Sequence, residues 1–387
     1  MLKDFMFHLP TKIVSGRGGL SELPSEARSL KGRNILIVTD KGVRAAGIVD
    51  RVVTHLNEGG FRGVYIFDDV APNPRTDEVN KGYIYAKKVE ANLLIAVGGG
   101  SSIDTAKGIG ILIGNGGQIE EYEGIDKLKK PMPPLIAIPT TVGTGSEVTG
   151  FAVITDLKRK FKLTIGDVKL SPNVAILDSD LVASLPPRII AATSMDALSH
   201  AIEGYVCKVS MPVTDAIALY AIELIAKNIR TAVYGDDYEA KANLQLAGML
   251  AGIVISQTDV ASVHCMGEAL GGMYDTAHGI ANASILPVVM AYNAIADIDK
   301  YAKIAKCLGI DTDHMTKREA AIASAHAVKE LNEDLSIPSL SEIGVREEDM
   351  RTLAEKAEAN MSNSVNPRAV TSVEYLTLFK KAYEGII

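Results

Sequence analysis

Short apolar runs recur through the first half of the chain, separated by segments whose apolar residues return every three or four positions. NILIVTD (34–40), VYIFDDV (64–70), the ANLLIAVGG stretch (91–99), PPLIAIPTT (133–141), FAVITD (151–156) and NVAILD (173–178) are continuous apolar runs of the kind that form strands buried on both faces. Between them, 42–58, 79–90 and 101–113 carry helical spacing. TKIVSG (11–16) predicts an earlier strand that ends in a glycine-rich turn at Gly16, Gly18 and Gly19. Strand and helix in alternation predict an α/β domain built on a doubly wound parallel sheet. Past the Pro186–Pro187 pair the strand signal fades, and 214–233 and 238–256 are long helical patterns. The pattern divides the chain into an α/β domain, 1–185, and an all-α domain, 186–387.

In a doubly wound sheet, ligands sit beyond the carboxyl ends of the strands. Three features fall there. GGGSSID (98–104) joins a strand to a helix: Gly98, Gly99 and Gly100 let backbone approach a phosphate, and the N–H groups from Ser101 onward attract anions. It is not the G-x-G-x-x-G fingerprint, so an ordinary tight turn is the alternative. Asp40 either takes ribose hydroxyls, where it would repel a 2′-phosphate, or simply caps the next helix. The loop TTVGTGSEVT (140–149) offers Thr140, Thr141 and Thr144, as a second ligand loop or as a turn dense in caps.

The second half carries a different chemistry. Asp196 and His200 stand four apart in a helical segment and so share one face. His264 and His278 are 14 residues apart, and the whole chain has only seven histidines. One carboxylate and three imidazoles make a four-ligand set for a divalent transition metal. The plainer alternative is a helix-face hydrogen bond and ordinary histidines. The neighbours, Ala192, Ala197, Ala201, Ala269, Gly271 and Gly272, are small and apolar. In such a half-buried setting an unpaired carboxylate or imidazole costs several kcal/mol, and a metal would satisfy the group at once.

Composition narrows the class. Net charge is −7 with both signs interspersed, and hydrophobic residues make up 47% of 387, so no nucleic-acid or anionic-membrane partner is expected. The one basic run, Lys127 to Lys130, reads as a solvated loop. Cys207, Cys265 and Cys307 have no metal or redox spacing and read as reduced thiols of a cytoplasmic protein. No run reaches the roughly 18 apolar residues of a membrane span, and the N-terminus shows no signal-peptide pattern.

Taken in order, VGGGSSIDTAK (97–107), IPTTVGTGSEVT (138–149), ILDSDL (176–181), SMDALSHAIEGY (194–205), SVHCMGEALGG (262–272), AHGIANASILPVVM (277–290) and NPR (366–368) resemble the iron-containing (group III) alcohol dehydrogenase family, of the dehydroquinate-synthase-like fold. The resemblance spans essentially the whole chain. It implies that the α/β domain is a Rossmann-like, dinucleotide-binding one, with NAD or NADP and a divalent metal, Fe²⁺ before Zn²⁺ or Mn²⁺. It implies metal ligation by Asp196, His200, His264 and His278, and nucleotide contacts from Gly98, Gly99, Gly100, Ser101, Asp104, Thr140, Thr141, Thr144, Thr149, Leu181, Asn73 and Lys162. Asp40 matches the acidic position of NAD-preferring members. It further implies a homodimer or higher oligomer. The chain departs from the pattern at Glu268, where members frequently have a second His, at Ala277 in place of Pro, and at Ile255 in place of an aromatic residue. Glu268 becomes a candidate proton relay.

The implied reaction is reversible hydride transfer between nicotinamide and a small primary alcohol, diol or aldehyde, with the metal polarising the substrate oxygen. Two other readings keep the fold: a zinc-type polyol or hydroxy-acid dehydrogenase, and a cyclising lyase. The lyase needs a basic pocket, and the metal stretches lack Lys and Arg between Met195 and Val206 and between His264 and His278. A non-catalytic nucleotide- or metal-binding protein is the reading from another class.

Overall fold

In the computed structural model, which describes residues 4–159 and 161–387, nine strands precede a long run of helices. The strands are β1 (Lys12–Ser15), β2 (Asn34–Val38), β3 (Gly63–Phe67), β4 (Leu93–Gly98), β5 (Gly124–Ile125), β6 (Leu135–Pro139), β7 (Phe151–Asp156), β8 (Phe161–Gly166) and β9 (Val174–Leu177). Among them lie α1 (Leu23–Ser29), α2 (Lys41–Ala45), α3 (Ile48–Glu58), α4 (Thr76–Lys88) and α5 (Gly100–Asn115). The chain divides into two compact units, one of Leu9–Leu185 and the other of Pro186–Ile387 with the N-terminal residues up to His8.

The first unit holds a six-stranded parallel sheet in the order β1-β9-β6-β4-β2-β3. Its central strands are buried on both faces, which is why they read as unbroken apolar runs. Along β4, Leu94 and Ala96 join one core with Leu36, Val38, Leu135 and Ala137, while Leu93, Ile95 and Val97 join the other with Ile35, Ile37, Ile136 and Ile138. This is the period of two expected of a strand.

Two details differ from the sequence pattern. The helix expected over 42–58 is two helices, α2 and α3, broken at Gly47 with φ of 74°. The second difference is a separate three-stranded sheet, β5-β8-β7, in which β7 and β8 pair antiparallel from Phe151↔Gly166 to Asp156↔Phe161. Asp156 Oδ1 accepts the N–H groups of Lys158 and Arg159 at 2.8 and 3.2 Å and so turns the chain back.

The second unit is helical: α6 (Pro187–Val206), α7 (Pro212–Tyr234), α8 (Tyr238–Gln257), α9 (Ser262–Tyr274), α10 (His278–Asn293), α11 (Ile298–Cys307), α12 (Lys317–Asp334), α13 (Leu340–Ile343), α14 (Met350–Glu358) and α15 (Ser372–Glu384). Pro187 opens α6, where a missing N–H does no harm. The middle of α6 is buried on every side, from Ser194 through Val206. Helix α10 packs tightly on α6: a Cβ at Gly279 would stand 2.3 Å from the Ala192 carbonyl oxygen. Among the described residues no single helix is long and apolar enough to cross a membrane.

Candidate active site

The close approach at Gly279 carries His278, its chain neighbour, to the face of α6 that bears Asp196 and His200. Helix α9 brings His264 from a third direction. One ligand atom from each of Asp196, His200, His264 and His278 lies within 4.8 Å of every other. Asp196 Oδ1 stands 4.0 Å from His200 Nε2, 3.8 Å from His264 Nε2 and 3.7 Å from His278 Nε2. Donors held at roughly 2.0–2.2 Å around a tetrahedral cation stand roughly 3.3–3.6 Å apart. The Asp196 distances are slightly wider than that, and the donor set fits a divalent transition metal. Asp196, His200 and His264 are buried, and the His278 side chain is 29% exposed, so the cage opens on the His278 side.

Burial pushes the Asp196 carboxyl up, and the neighbouring histidines, His200 foremost, outweigh it with help from Asn282, leaving it below its ordinary value. Burial pushes His264 down, and the Glu203 carboxylate overrides it from behind, with Asp196 and Glu268 adding to the lift.

Two residues of this site carried no sequence reading. Glu203 lies on α6 three residues after His200; its Oε2 is 2.5 Å from His264 Nδ1, and its Oε1 accepts the Val263 N–H at 2.7 Å. Asn282 lies on α10 four residues after His278. Its Nδ2 stands 2.8 Å from Asp196 Oδ1, 3.0 Å from His264 Nε2 and 3.2 Å from His278 Nε2. The signal was available: spacings of seven from Asp196 and four from His278 put both on the ligand faces of their helices.

Glu268 sits one helical turn beyond His264 on α9, with Oε2 accepting from Asn360 Nδ2 at 2.7 Å. Cys265, buried on another face of the same helix, has its thiol pushed well up by burial.

In the first unit, the strand-end residues gather as the sheet topology requires. Gly98 pairs with Pro139, and Thr140 N–H donates to the Gly98 carbonyl at 3.0 Å. Gly98 has φ of 151°, and a Cβ there would strike Ser102 Oγ at 2.4 Å, so only glycine fits. Cβ atoms at Gly99 and Gly100 would meet the side chains of Thr141 and Thr144 at 3.0 Å. The turn runs into α5, whose first N–H groups, from Gly100 and Ser101 on, have no partner within the helix. Asp40 caps α2 through Oδ1, bonded to Gly42 and Val43 N–H at 2.8 and 2.9 Å. Its Oδ2 faces Gly98, 3.4 Å from where a Cβ would lie. Lys162 Nζ donates to Asn73 Oδ1 at 3.2 Å, and Asn73 holds a left-handed φ of 56°.

Three of the expected nucleotide residues have their atoms engaged within the protein. Asp104 accepts from Ser146 Oγ and Val153 N–H at 2.6 and 3.0 Å. Thr149 bonds the buried Lys107 ammonium through Oγ1 and its carbonyl. Leu181 is packed in the core at 2% exposure.

Comparison with known proteins places the whole chain. Residues 10–179 match the family model for iron-containing alcohol dehydrogenase, and residues 190–383 match that for the C-terminal part of the Fe-containing alcohol dehydrogenase family. The chain is 40% identical to a 1,3-propanediol dehydrogenase of Citrobacter freundii, over 98% of this chain and 99% of that one. It is 39% identical to an NAD-dependent methanol dehydrogenase of Bacillus methanolicus, over 97% and 99%. A solved 1,3-propanediol oxidoreductase superposes with a TM-score of 0.95 at 38% identity, covering 98% of this chain and 100% of that one.

Proposed function

The chain belongs to the iron-containing alcohol dehydrogenase family, oxidoreductases that interconvert alcohols and aldehydes with NAD and a divalent metal, and we propose that Asp196, His200, His264 and His278 hold that metal. What carries this assignment is the convergence of four donor atoms from three helices within 4.8 Å. Three imidazoles and one carboxylate suit Fe²⁺, Zn²⁺ or Mn²⁺, and the family favours iron. When bound, the cation supplies Lewis-acid polarisation of the substrate oxygen, and NAD supplies hydride exchange at nicotinamide C4.

The remaining work belongs to side chains. Asn282 holds the Asp196 carboxylate, and the part-exposed His278 side of the cage is assigned to a small primary alcohol, diol or aldehyde. Glu268, one turn from His264, is assigned to carry the hydroxyl proton away. In the nucleotide-binding domain, 1–185, the Gly98–Ser101 turn and the first N–H groups of α5 are assigned to the NAD phosphates. Asp40 Oδ2 is assigned to the ribose hydroxyls, which favours NAD over NADP. Thr140, Thr141 and Thr144 border the turn, with Asn73 and Lys162 as further contacts. Asp104, Thr149 and Leu181 complete the proposed nucleotide contacts, and the bonds of Asp104 and Thr149 to Ser146, Val153 and Lys107 also hold that framework. The metal-binding domain is 186–387. The protein works in the cytoplasm as a homodimer or larger assembly, and β1, an edge strand of its sheet, offers a pairing surface.

The test is a panel of short alcohols, diols and aldehydes with NAD(H) and NADP(H). NAD-linked turnover by the parent, lost by about 10³-fold or more in Asp196→Ala and lowered by about tenfold in Glu268→Gln, is expected. Full activity of Asp196→Ala would remove the cage from the reaction, and full activity of Glu268→Gln would remove Glu268 from the proton path.

A further inference from the structure

We infer that Glu203 is a positioning residue for the metal cage, locking His264 in the tautomer whose Nε2 lone pair faces the cation. This rests on the cage assignment and deepens it. A histidine binds a metal through a nitrogen that carries no proton, so its proton must sit on the other nitrogen. For His264 the ring is held between two groups that settle where that proton goes. Behind it, Glu203 Oε2 is 2.5 Å from Nδ1, and an ionised carboxylate can only accept, so Nδ1 carries the hydrogen. In front, Asn282 Nδ2 is 3.0 Å from Nε2. The orientation of that amide is set by Asp196 Oδ1 at 2.8 Å, another acceptor, so the Asn282 nitrogen donates and Nε2 accepts. The two neighbours, on different helices, impose the same tautomer.

Glu203 is suited to this by burial and by its second bond. It is 3% exposed, and Oε1 takes the Val263 N–H at 2.7 Å, one of the otherwise unpaired donors at the start of α9. One carboxylate thus fixes the helix that carries His264 and the ring on it. A carboxylate–histidine pair of this kind would raise the basicity of the ligand nitrogen and fix the orientation of its ring. It also brings a second negative charge to the site, so that a divalent cation, Asp196 and Glu203 together are neutral.

The experiment separates the helix bond from the tautomer lock. Glu203→Gln is the same size, and its carbonyl still accepts from Val263. Its amide then presents N–H to His264 Nδ1, which drives the imidazole proton onto Nε2, the wrong nitrogen. Parent and Glu203→Gln, stripped by chelator, are titrated with Zn²⁺ against a competing chromophoric chelator. Their Co²⁺ absorption spectra and metal-free melting temperatures are recorded alongside. The expected result is about 10- to 100-fold weaker Zn²⁺ binding and an altered Co²⁺ spectrum, with little change in the metal-free melting temperature. Equal Zn²⁺ affinity and an unchanged Co²⁺ spectrum would overturn the inference and leave Glu203 a helix cap. A parent protein that binds no Zn²⁺ overturns the cage assignment itself, and this inference with it. If the variant does not fold, nitrogen-15 histidine NMR of the Zn²⁺-loaded parent decides. His264 with hydrogen on Nδ1 supports the lock, and hydrogen on Nε2 overturns it.

Discussion

Gly267 and Asn282 are packed so closely that a Cβ at Gly267 would stand 1.9 Å from Asn282 Oδ1. Asn282 is fully buried, and its amide nitrogen reaches three of the four cage residues. Gly267→Ala therefore has to push Asn282 away from Asp196. Overpacking of this kind costs about 1–3 kcal/mol. The prediction is weaker metal retention on dialysis together with a lower denaturation midpoint. Unchanged metal content would show that Asn282 plays no part in shaping the cage.

Lys107 is fully buried, and its ammonium is surrounded by the Ser146, Thr149 and Phe151 carbonyls at 2.8, 3.0 and 2.6 Å and by the Ser146 and Thr149 hydroxyls at 3.0 and 3.1 Å. Burial lowers it to about 8, against the pull of Asp104 and Glu147. It is the tie that fixes the 146–151 segment to α5. Lys107→Met leaves those carbonyls buried and unpaired, at a cost on the order of 3 kcal/mol. Urea melts should show that loss, and the KM for NAD should rise more than kcat falls. A variant as stable as the parent would contradict the role.

Glu147 gives a pH signature. Burial raises its carboxyl from 4.5 to about 7, opposed by its own backbone hydrogen bond and by Lys107. Folded, it keeps a proton that the unfolded chain has already released between those values. The stability this contributes is full below the unfolded value and is lost as pH rises through the folded one. Glu147→Gln stays neutral throughout. Its melting temperature should match that of the parent near pH 4.5 and exceed it above about pH 7. An offset that is the same at both pH values would contradict the assignment.

Asp40 caps α2 and is proposed to meet the ribose hydroxyls, two roles that one substitution separates. Asparagine still accepts from Gly42 and Val43 N–H, so the α2 cap survives. It loses the charge that would repel a 2′-phosphate. In Asp40→Asn, kcat/KM for NADP should rise by about tenfold or more relative to NAD, with no loss of thermal stability. An unchanged cofactor ratio would make Asp40 a helix cap alone.

The legible part of this protein was the part set by periodicity and by rare residues. Strands buried on both faces advertise themselves as unbroken apolar runs, and β2, β4 and β6 were plain for that reason. The metal cluster stood out because few histidines exist and two ligands share one helix face. Glu203 was missed because a glutamate between His200 and Tyr205 looks like any polar helix residue until α9 is placed against it. The separate β5-β8-β7 sheet was missed because β8, FKLTIG, breaks its apolar run with Lys162 and Thr164 and its partner lies across a turn rather than a helix. For Asp104 and Thr149 the structure adds partners that a motif does not show: Ser146, Val153 and Lys107 hydrogen-bond to their polar atoms. A sequence shows that such residues are present, not which neighbour takes their hydrogen bonds.

The central claim is that the Asp196–His200–His264–His278 cage is the metal centre on which turnover depends. It is tested most directly by titrating Fe²⁺ anaerobically into chelator-stripped protein while following NADH oxidation by a short aldehyde. Activity that starts near zero, rises in proportion to metal and levels off at roughly one ion per chain is the predicted result. Undiminished NADH oxidation by the stripped protein, with no response to added metal, would contradict the account.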